Sequence, residues 1–216
     1  MPINIIRTHY VPHGRKEHNG TYDHLFWEVE LVDSATDSVD FQQRLNRDDI
    51  WQVGIAGQGI KRLTYRPESD PELDHLVTVP SQHQEQFIRL AKGEHDIHIR
   101  SRWNIYSRWY RNVEYYINDP DIKTITTIFR DQAGFAMTIH LDNSHVMLQA
   151  VINLSDNETG TELYAVDSTE PTYTMTGQRN RGVMFFNSPG LLHGIRNVNK
   201  DRHILYYGIM YGGGHK

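Results

Sequence analysis

The chain has 216 residues, a mass of 25.2 kDa and a formal net charge of -5, which is the size of one domain. With 38% hydrophobic and 23% charged residues, its composition is typical of a globular protein and not of a disordered or fibrous one. The acidic balance gives no general attraction to phosphate, so we expect no nucleic-acid partner. The absence of cysteine excludes disulfides, thiolate ligands and a cysteine nucleophile, so any metal must bind His, Asp or Glu.

The sequence carries no targeting or membrane signal. Its N-terminus lacks the apolar segment of a signal peptide, and no run approaches the roughly 18 apolar residues of a membrane span. We therefore expect a cytoplasmic protein with no membrane partner. No repeat or linker divides the chain, so residues 1–216 should form a single domain, although the character of the sequence changes near Pro120.

Residues 1–120 are predicted to form N-terminal strands and supporting helices. The apolar segment Leu25–Leu31 and the polar residues 34–49 predict short strands and loops. Ser81 can cap a helix that runs to about Lys92, because its hydroxyl can accept a hydrogen bond from the first turn. A second helix is predicted over Arg102–Ile117, where apolar residues recur at three- and four-residue steps and form one stripe. That stripe should pack against a sheet.

After Pro120, short apolar segments alternate with turn residues, which predicts a core of β-strands over residues 121–211. Eight strands in under 90 residues indicate a barrel or a sandwich. The predicted strands are Lys123–Phe129, Phe135–Asp142, Val146–Leu154, Glu162–Val166, Thr172–Thr176, Val183–Phe186, Leu192–Arg196 and His203–Met210.

A His-x-Asp pair lies at the end of the second of these strands. Alternation along a strand places His140 and Asp142 on the same side, about 7 Å apart. Two side chains on one side can bind the same metal ion. His-x-Asp is a weak signal alone, because a chain with 13 histidines is expected to contain one by chance.

His193 supplies a third candidate ligand. It lies 51 positions after Asp142, at the start of a predicted strand, and that separation lets the chain cross several strands of a barrel and return. Two imidazoles and one carboxylate on the same face leave three open positions on iron(II). An oxygenase needs those positions to bind a cosubstrate and dioxygen together.

Arg202 follows His193 by nine positions, after the polar turn 197–201. Two antiparallel strands joined by that turn would place Arg202 near His193. Its planar, permanently charged guanidinium suits the distal carboxylate of a dicarboxylic acid whose other end chelates the metal.

With these residues in place, the chain resembles the Fe(II)- and 2-oxoglutarate-dependent dioxygenases, particularly their prolyl-hydroxylase-like branch. The match covers Thr127–Tyr211 and rests on His140-Leu141-Asp142, Val146–Leu154, Gly160–Tyr164, His193 and Arg202. The resemblance implies a mainly β (α+β) fold, the double-stranded β-helix, which is a jelly-roll or cupin-like barrel, with supporting N-terminal helices. It implies His140, Asp142 and His193 as iron ligands and as the catalytic centre, and Arg202 as the 2-oxoglutarate anchor.

The resemblance also implies a polar cosubstrate contact from the strand after the His-x-Asp pair, and Asn153 is the candidate. Members of the branch often have tyrosine at that place. Many have serine two residues after the arginine, where this chain has Ile204, so a second donor must come from elsewhere. Thr138 and Tyr206 are the alternatives.

Other polar clusters have simpler interpretations. His145 falls in a turn and is expected to face solvent, and residues 94–98 form a metal-like cluster with no matching partners downstream. Residues 54–59 are glycine-rich but lack the Gly-Lys-Ser/Thr of a phosphate loop, so we expect a turn. Arg196 is expected to form a salt bridge, with a substrate contact as the alternative.

The sequence therefore predicts a hydroxylase that uses Fe(II), 2-oxoglutarate and O2 to oxidise an unactivated C–H bond. The substrate class stays open between a small molecule and a peptide, with a peptide or protein side chain such as proline favoured, and so does the oligomeric state. One alternative is a cupin-like protein that binds a metal or small ligand without oxygenase activity, which would not need the carboxylate anchor at Arg202. Another is an interaction module with accidental ligands.

Overall fold

A computed structural model describes residues 3–17, 20–53, 62–78, 122–142, 146–187, 190–196 and 198–211. Its helices are α1 (Val39–Leu45) and α2 (Pro71–Val77), preceded by a 3-10 turn at Ser34–Asp37. Its strands are β1 (Ile3–Glu17), β2 (Gly20–Leu31), β3 (Trp51–Val53), β4 (Arg62–Tyr65), β5 (Ile122–Asp131), β6 (Met137–His140), β7 (Val146–Asn153), β8 (Glu162–Ala165), β9 (Tyr173–Thr174), β10 (Arg181–Phe186), β11 (Leu191–Ile195) and β12 (Arg202–Tyr211).

The strands form two antiparallel sheets. The large sheet has the order β1-β2-β10-β7-β12-β5-β4-β3, and the small sheet has the order β6-β11-β8-β9. Sequence neighbours are therefore often in different sheets, as in a jelly roll. One expectation is corrected here: β11 and β12 are not paired through the turn that joins them, because β11 pairs with β6 and β8 while β12 pairs with β5 and β7.

The main hydrophobic core lies on the outer face of the large sheet, beneath the two helices. Alternate residues of the central strands, such as Leu205 and Ile152, are fully buried there against Leu45 of α1 and Leu73 of α2. Full burial of one such side chain contributes roughly 1.5–3 kcal/mol. This face leaves the opposite, inner face of the same strands for the site.

The short helices are fixed by their caps. The Ser38 hydroxyl accepts a hydrogen bond from the Phe41 amide at the start of α1. The Asp70 carboxylate accepts from the amides of Glu72 and Leu73, and Pro71 occupies the first turn of α2. Such caps satisfy amides that have no partner within the helix.

A second core fills the space between the two sheets. Phe26 and Phe185 come from the large sheet, and Leu163 and Leu191 come from the small sheet. These residues hold the sheets face to face. The inner faces of both sheets thus meet around a shared interior.

The predicted strand series is confirmed, since a strand lies in each of the eight predicted segments after Pro120. The predicted helices at 81–92 and 102–117, the glycine-rich residues 54–59 and the change of character near Pro120 lie outside the described residues. The helix α1 lies where the polar sequence predicted short strands and loops. In the part of the chain that the structure describes, no helix is long and apolar enough to span a membrane.

Candidate metal centre and carboxylate site

His140, Asp142 and His193 come together on the inner face of the small sheet, and we call them the His-Asp-His cluster. His140 of β6 lies directly opposite His193 of β11, with ring centroids 4.2 Å apart. Asp142 lies two residues beyond His140, on the same side, as strand alternation predicted. One ligand atom from each residue lies within 4.8 Å of the others, and no other such set occurs among the described residues.

The ligand atoms point toward one another. The Nε2 atom of His140 lies 3.4 Å from one Asp142 oxygen, and the Nε2 atom of His193 lies 3.5 Å from the other. Ligands of a single ion at roughly 2 Å would have comparable mutual separations. Two histidines and one carboxylate form the set that binds non-haem iron(II) while leaving positions open.

A hydrogen bond from the backbone selects the tautomer of His140. Its Nδ1 atom lies 2.8 Å from the carbonyl oxygen of Thr138, which can only accept, so Nδ1 carries the proton. In the neutral ring, Nε2 then presents its lone pair to the Asp142 carboxylate. A cation between these two acceptors would satisfy both, so the residues present fit a divalent metal.

The electrostatics of the cluster agree with that arrangement. The hydrogen bond to Asp142 raises the pKa of His140 against the effect of burial. Burial works to raise the pKa of Asp142, but His140, His193 and the neighbouring Gln149 outweigh it, and the net shift is downward. Burial lowers the pKa of His193 to about 4, so this ring is neutral near pH 7 and available as a ligand.

Asn187 holds the backbone of Asp142 in place. The Asp142 amide donates to Asn187 Oδ1, and Asn187 Nδ2 donates to the carbonyls of Asp142 and Val146, each at 3.2 Å. Asn187 is buried and follows β10. Sequence reasoning missed this residue, although the Ser-Pro-Gly sequence that follows it is a turn signal.

Arg202 lies in a row of three charged residues on the inner face of the large sheet. It is directly opposite Asp131 of β5, which in turn is directly opposite Arg62 of β4. Directly paired residues project to the same face, so strand register brings Arg62, Asp131 and Arg202 together. We call them the arginine row, and all three are buried.

Within the described residues, two guanidinium nitrogens of Arg202 lack hydrogen-bond partners. The Nη2 atom lies 3.3 Å from the carboxylate of Asp131, whereas Nε and Nη1 are buried and have no hydrogen-bond partner among the described residues. Burial lowers the pKa of Arg202 to about 10, which still leaves it charged near pH 7. Unpaired buried donors of this kind are costly, and a carboxylate would satisfy them.

The arginine row lies within electrostatic range of the metal cluster. The charge of Arg62 disfavours protonation of both His140 and His193. Its Nη1 atom also lies 4.0 Å from the sulfur of Met137, on the same strand as His140. The interior thus has the His-Asp-His cluster on one sheet and cationic donors on the other.

Asn153 and Tyr206, two of the residues predicted to contact the cosubstrate beside Arg202, have different surroundings. Asn153 is buried on the inner face, and its Nδ2 atom donates to the carbonyls of Thr176 and Gln178 at 2.8 and 3.4 Å. Tyr206 projects from the same face of β12 as Arg202, and its ring covers Gly208, where an added Cβ would lie 3.0 Å from the phenol oxygen. Burial and the charge of Asp142 raise the pKa of Tyr206.

Arg196 forms the predicted salt bridges, to Glu162 at 3.1 Å and to Glu170 at 3.2 Å. The side chain of Thr138, the other alternative donor, is exposed. His145 and the cluster at 94–98 lie outside the described residues.

Fold and site together define a double-stranded β-helix with a His-Asp-His cluster facing a buried arginine. Comparison with solved structures confirms the fold. A Pseudomonas putida prolyl-4-hydroxylase matches with a TM-score of 0.56 and 12% identity, covering 88% of this chain and 94% of that one. A Trichoplax adhaerens prolyl hydroxylase, solved with a hypoxia inducible factor peptide fragment, matches with a TM-score of 0.53 and 13% identity, covering 86% and 83%. No protein-family model and no curated protein matches the sequence. The resemblance inferred from the sequence therefore holds at the level of the fold.

Proposed function

We propose that this protein is an Fe(II)- and 2-oxoglutarate-dependent dioxygenase that hydroxylates an unactivated C–H bond. The observation that carries the proposal is that the buried Nε and Nη1 atoms of Arg202 have no hydrogen-bond partner in the described part of the chain, in the same interior as the His-Asp-His cluster. A protein that only bound a metal would have no need to bury unpaired cationic donors beside it. A dicarboxylate that reaches from the metal to Arg202 satisfies both ends.

In this proposal His140, Asp142 and His193 hold the iron. Thr138 fixes the orientation of the His140 ring, and Asn187 fixes the backbone of Asp142. Ligands that are held in place before the metal binds lose little conformational freedom on binding. Iron held by His140, Asp142 and His193 would supply the oxidation chemistry in which dioxygen, 2-oxoglutarate and the substrate C–H bond give succinate, carbon dioxide and the hydroxylated product.

Arg202 binds the distal carboxylate of 2-oxoglutarate, and Tyr206 is the second donor that we propose for it. Tyr206 lies four residues after Arg202 on the same face of β12, within electrostatic range of Asp142. A role for Asn153 in binding the cosubstrate stays a prediction. The Nδ2 atom of Asn153 already donates to backbone carbonyls, so Tyr206 has the freer donor.

For the substrate we propose a peptide or protein side chain, such as proline. Support comes from the two structural neighbours, both prolyl hydroxylases by name, one of them solved with a peptide fragment. A small-molecule substrate is the alternative. The cytoplasmic location stays a prediction from the sequence.

The central test is an anaerobic titration of the protein with iron(II) and 2-oxoglutarate, followed by the visible charge-transfer band of the chelate. Wild type should develop the band, and His140→Ala should lose it because one of three ligands is gone. The matched control is His75→Ala, which removes an exposed histidine from α2 and should leave the band unchanged.

The same titration separates the proposal from the cupin-like alternative. A metal-binding protein without oxygenase activity would bind iron but show no chelate band with 2-oxoglutarate, and that result in the wild type would refute the proposal. Oxygen is then admitted and succinate formation is measured. A candidate peptide that increases the rate of succinate formation would identify the substrate class.

A further inference from the structure

The arginine row shares one carboxylate unequally between two arginines. Arg62 donates two hydrogen bonds to Asp131, from Nε to Oδ1 at 2.5 Å and from Nη2 to Oδ2 at 2.9 Å. Arg202 has one longer contact to Asp131, at 3.3 Å. The carboxylate of Asp131 is therefore mainly occupied by Arg62, and this is why Arg202 retains unpaired donors.

The position of Arg62 is fixed by aromatic side chains. Its guanidinium carbon lies 4.8 Å from the ring centroid of Phe129 and 4.5 Å from that of Phe135. Stacking on two rings restrains a guanidinium and adds cation–π attraction. Arg62 is thus held against Asp131 from one side, while Arg202 approaches from the other.

The row also carries one uncompensated positive charge. Two guanidinium groups and one carboxylate sum to +1, in a place where all three side chains are buried. A buried net charge is unfavourable unless a counter-charge joins it. The row therefore has one place for one additional carboxylate, at Arg202.

We propose that Arg62 is a positioning residue that limits Asp131 to one long contact with Arg202, so that Nε and Nη1 of Arg202 stay available for the distal carboxylate of the cosubstrate. This inference rests on the proposed function. It assigns Arg62 no contact with the cosubstrate. Its effect is indirect, because Asp131 is an internal competitor for Arg202 and Arg62 is the group that occupies it.

Two variants test this role, because the second substitution should restore the affinity for 2-oxoglutarate that the first one lowers. In Arg62→Met, Arg202 is the one charged partner left to Asp131 among the described residues. Asp131 should turn to Arg202 and neutralise it, so the affinity for 2-oxoglutarate should fall by at least about tenfold, the worth of a charge-assisted hydrogen bond. In Arg62→Met/Asp131→Asn, the competitor is gone and the net charge returns to +1. The second substitution should therefore restore affinity to within about threefold of wild type.

Affinity is measured in two ways. One is the anaerobic charge-transfer titration with iron(II), and the other is the thermal shift that 2-oxoglutarate causes in metal-free protein. Pyruvate is the matched ligand, since it keeps the 2-oxo acid end and lacks the distal carboxylate, so its binding should not change across the variants. Arg179→Met is the control variant, because Arg179 pairs with Asp37 outside the arginine row.

The outcomes separate the inference from the function on which it rests. No binding of 2-oxoglutarate to wild type overturns both. Wild-type affinity in Arg62→Met overturns the inference alone, and so does a double variant that binds as weakly as Arg62→Met, because the loss would then come from damaged packing. If Arg62→Met does not fold, Arg62→Lys keeps the charge with one contact to Asp131 and should show a smaller loss. The double variant must still bind, and its failure to do so while folded contradicts the proposal.

Discussion

The His-Asp-His cluster and the arginine row face the same interior but are built differently. The cluster lies on short strands of the small sheet, with Asp142 and His140 partly exposed. The arginine row lies across the adjacent strands β12, β5 and β4 of the large sheet, where Asp131 and Arg202 are 0% and 1% exposed. Solvent therefore reaches the His-Asp-His cluster, whereas the arginine row is part of the buried interior.

Because of that difference, substitutions in the two regions should affect ligand binding and folding stability to different degrees. A charge removed from the partly exposed cluster should affect metal binding more than stability, because water can solvate what remains. A charge removed from the arginine row leaves its partners buried and unpaired, so stability should fall with function. Substitutions at three places test this contrast: at Asp131, at Asn187, and at Tyr206 with its neighbour Gly208.

The largest expected effect is on the arginine row. Asp131→Asn leaves two buried guanidinium groups without a counter-charge and should lower the free energy of unfolding by about 3–5 kcal/mol, measured by urea denaturation. The matched control is Asp49→Asn, because Asp49 binds Arg47 through both oxygens in the same way but is 70% exposed. Equal denaturation midpoints for the two variants would contradict the contrast.

A smaller effect, confined to binding, is expected at the metal cluster. Asn187→Ala removes the hydrogen bonds that hold the backbone of Asp142. It should weaken iron(II) binding by about 10- to 100-fold, the usual cost of losing a residue that holds a metal ligand in place. Competition with a coloured chelator measures it. Asn199→Ala, which removes only a surface hydrogen bond to Glu158, should bind iron like wild type. Unchanged affinity in folded Asn187→Ala would remove the positioning role from Asn187.

The smallest effect is expected between the two regions. Tyr206→Phe removes one neutral donor and should raise the KM for 2-oxoglutarate about fivefold, with iron affinity unchanged. Gly208→Ala should act in the same direction, because the added Cβ would press on the Tyr206 phenol while its hydroxyl is retained. An unaltered KM in both variants would leave Arg202 without this second donor.

The His-Asp-His cluster was predictable partly from a local signal and partly from the order of the strands. His140 ends β6 and Asp142 follows two residues later, whereas His193 lies within β11, 51 positions after Asp142. Arg62 and Asp131 were missed because no local pattern marks them. They are 69 residues apart and meet only through the register of β4 on β5, which the sequence does not reveal.

The fold shows the same limit. The eight strands after Pro120 have turn residues between them, so their existence could be predicted, but their division between two sheets could not. The expected pairing of β11 with β12 failed for this reason. The helices α1 and α2 have seven residues each, too few for a clear apolar stripe, although their caps Ser38 and Asp70-Pro71 are visible in the sequence.

The unpaired nitrogens of Arg202 have a consequence for handling the protein. A ligand that binds the folded state and not the unfolded chain shifts the folding equilibrium by mass action. A dicarboxylate bound at Arg202, as we propose, would be such a ligand, so resistance to heat and proteolysis should rise with its concentration even without metal. Purification in buffers without dicarboxylates would select the least stable form of the protein.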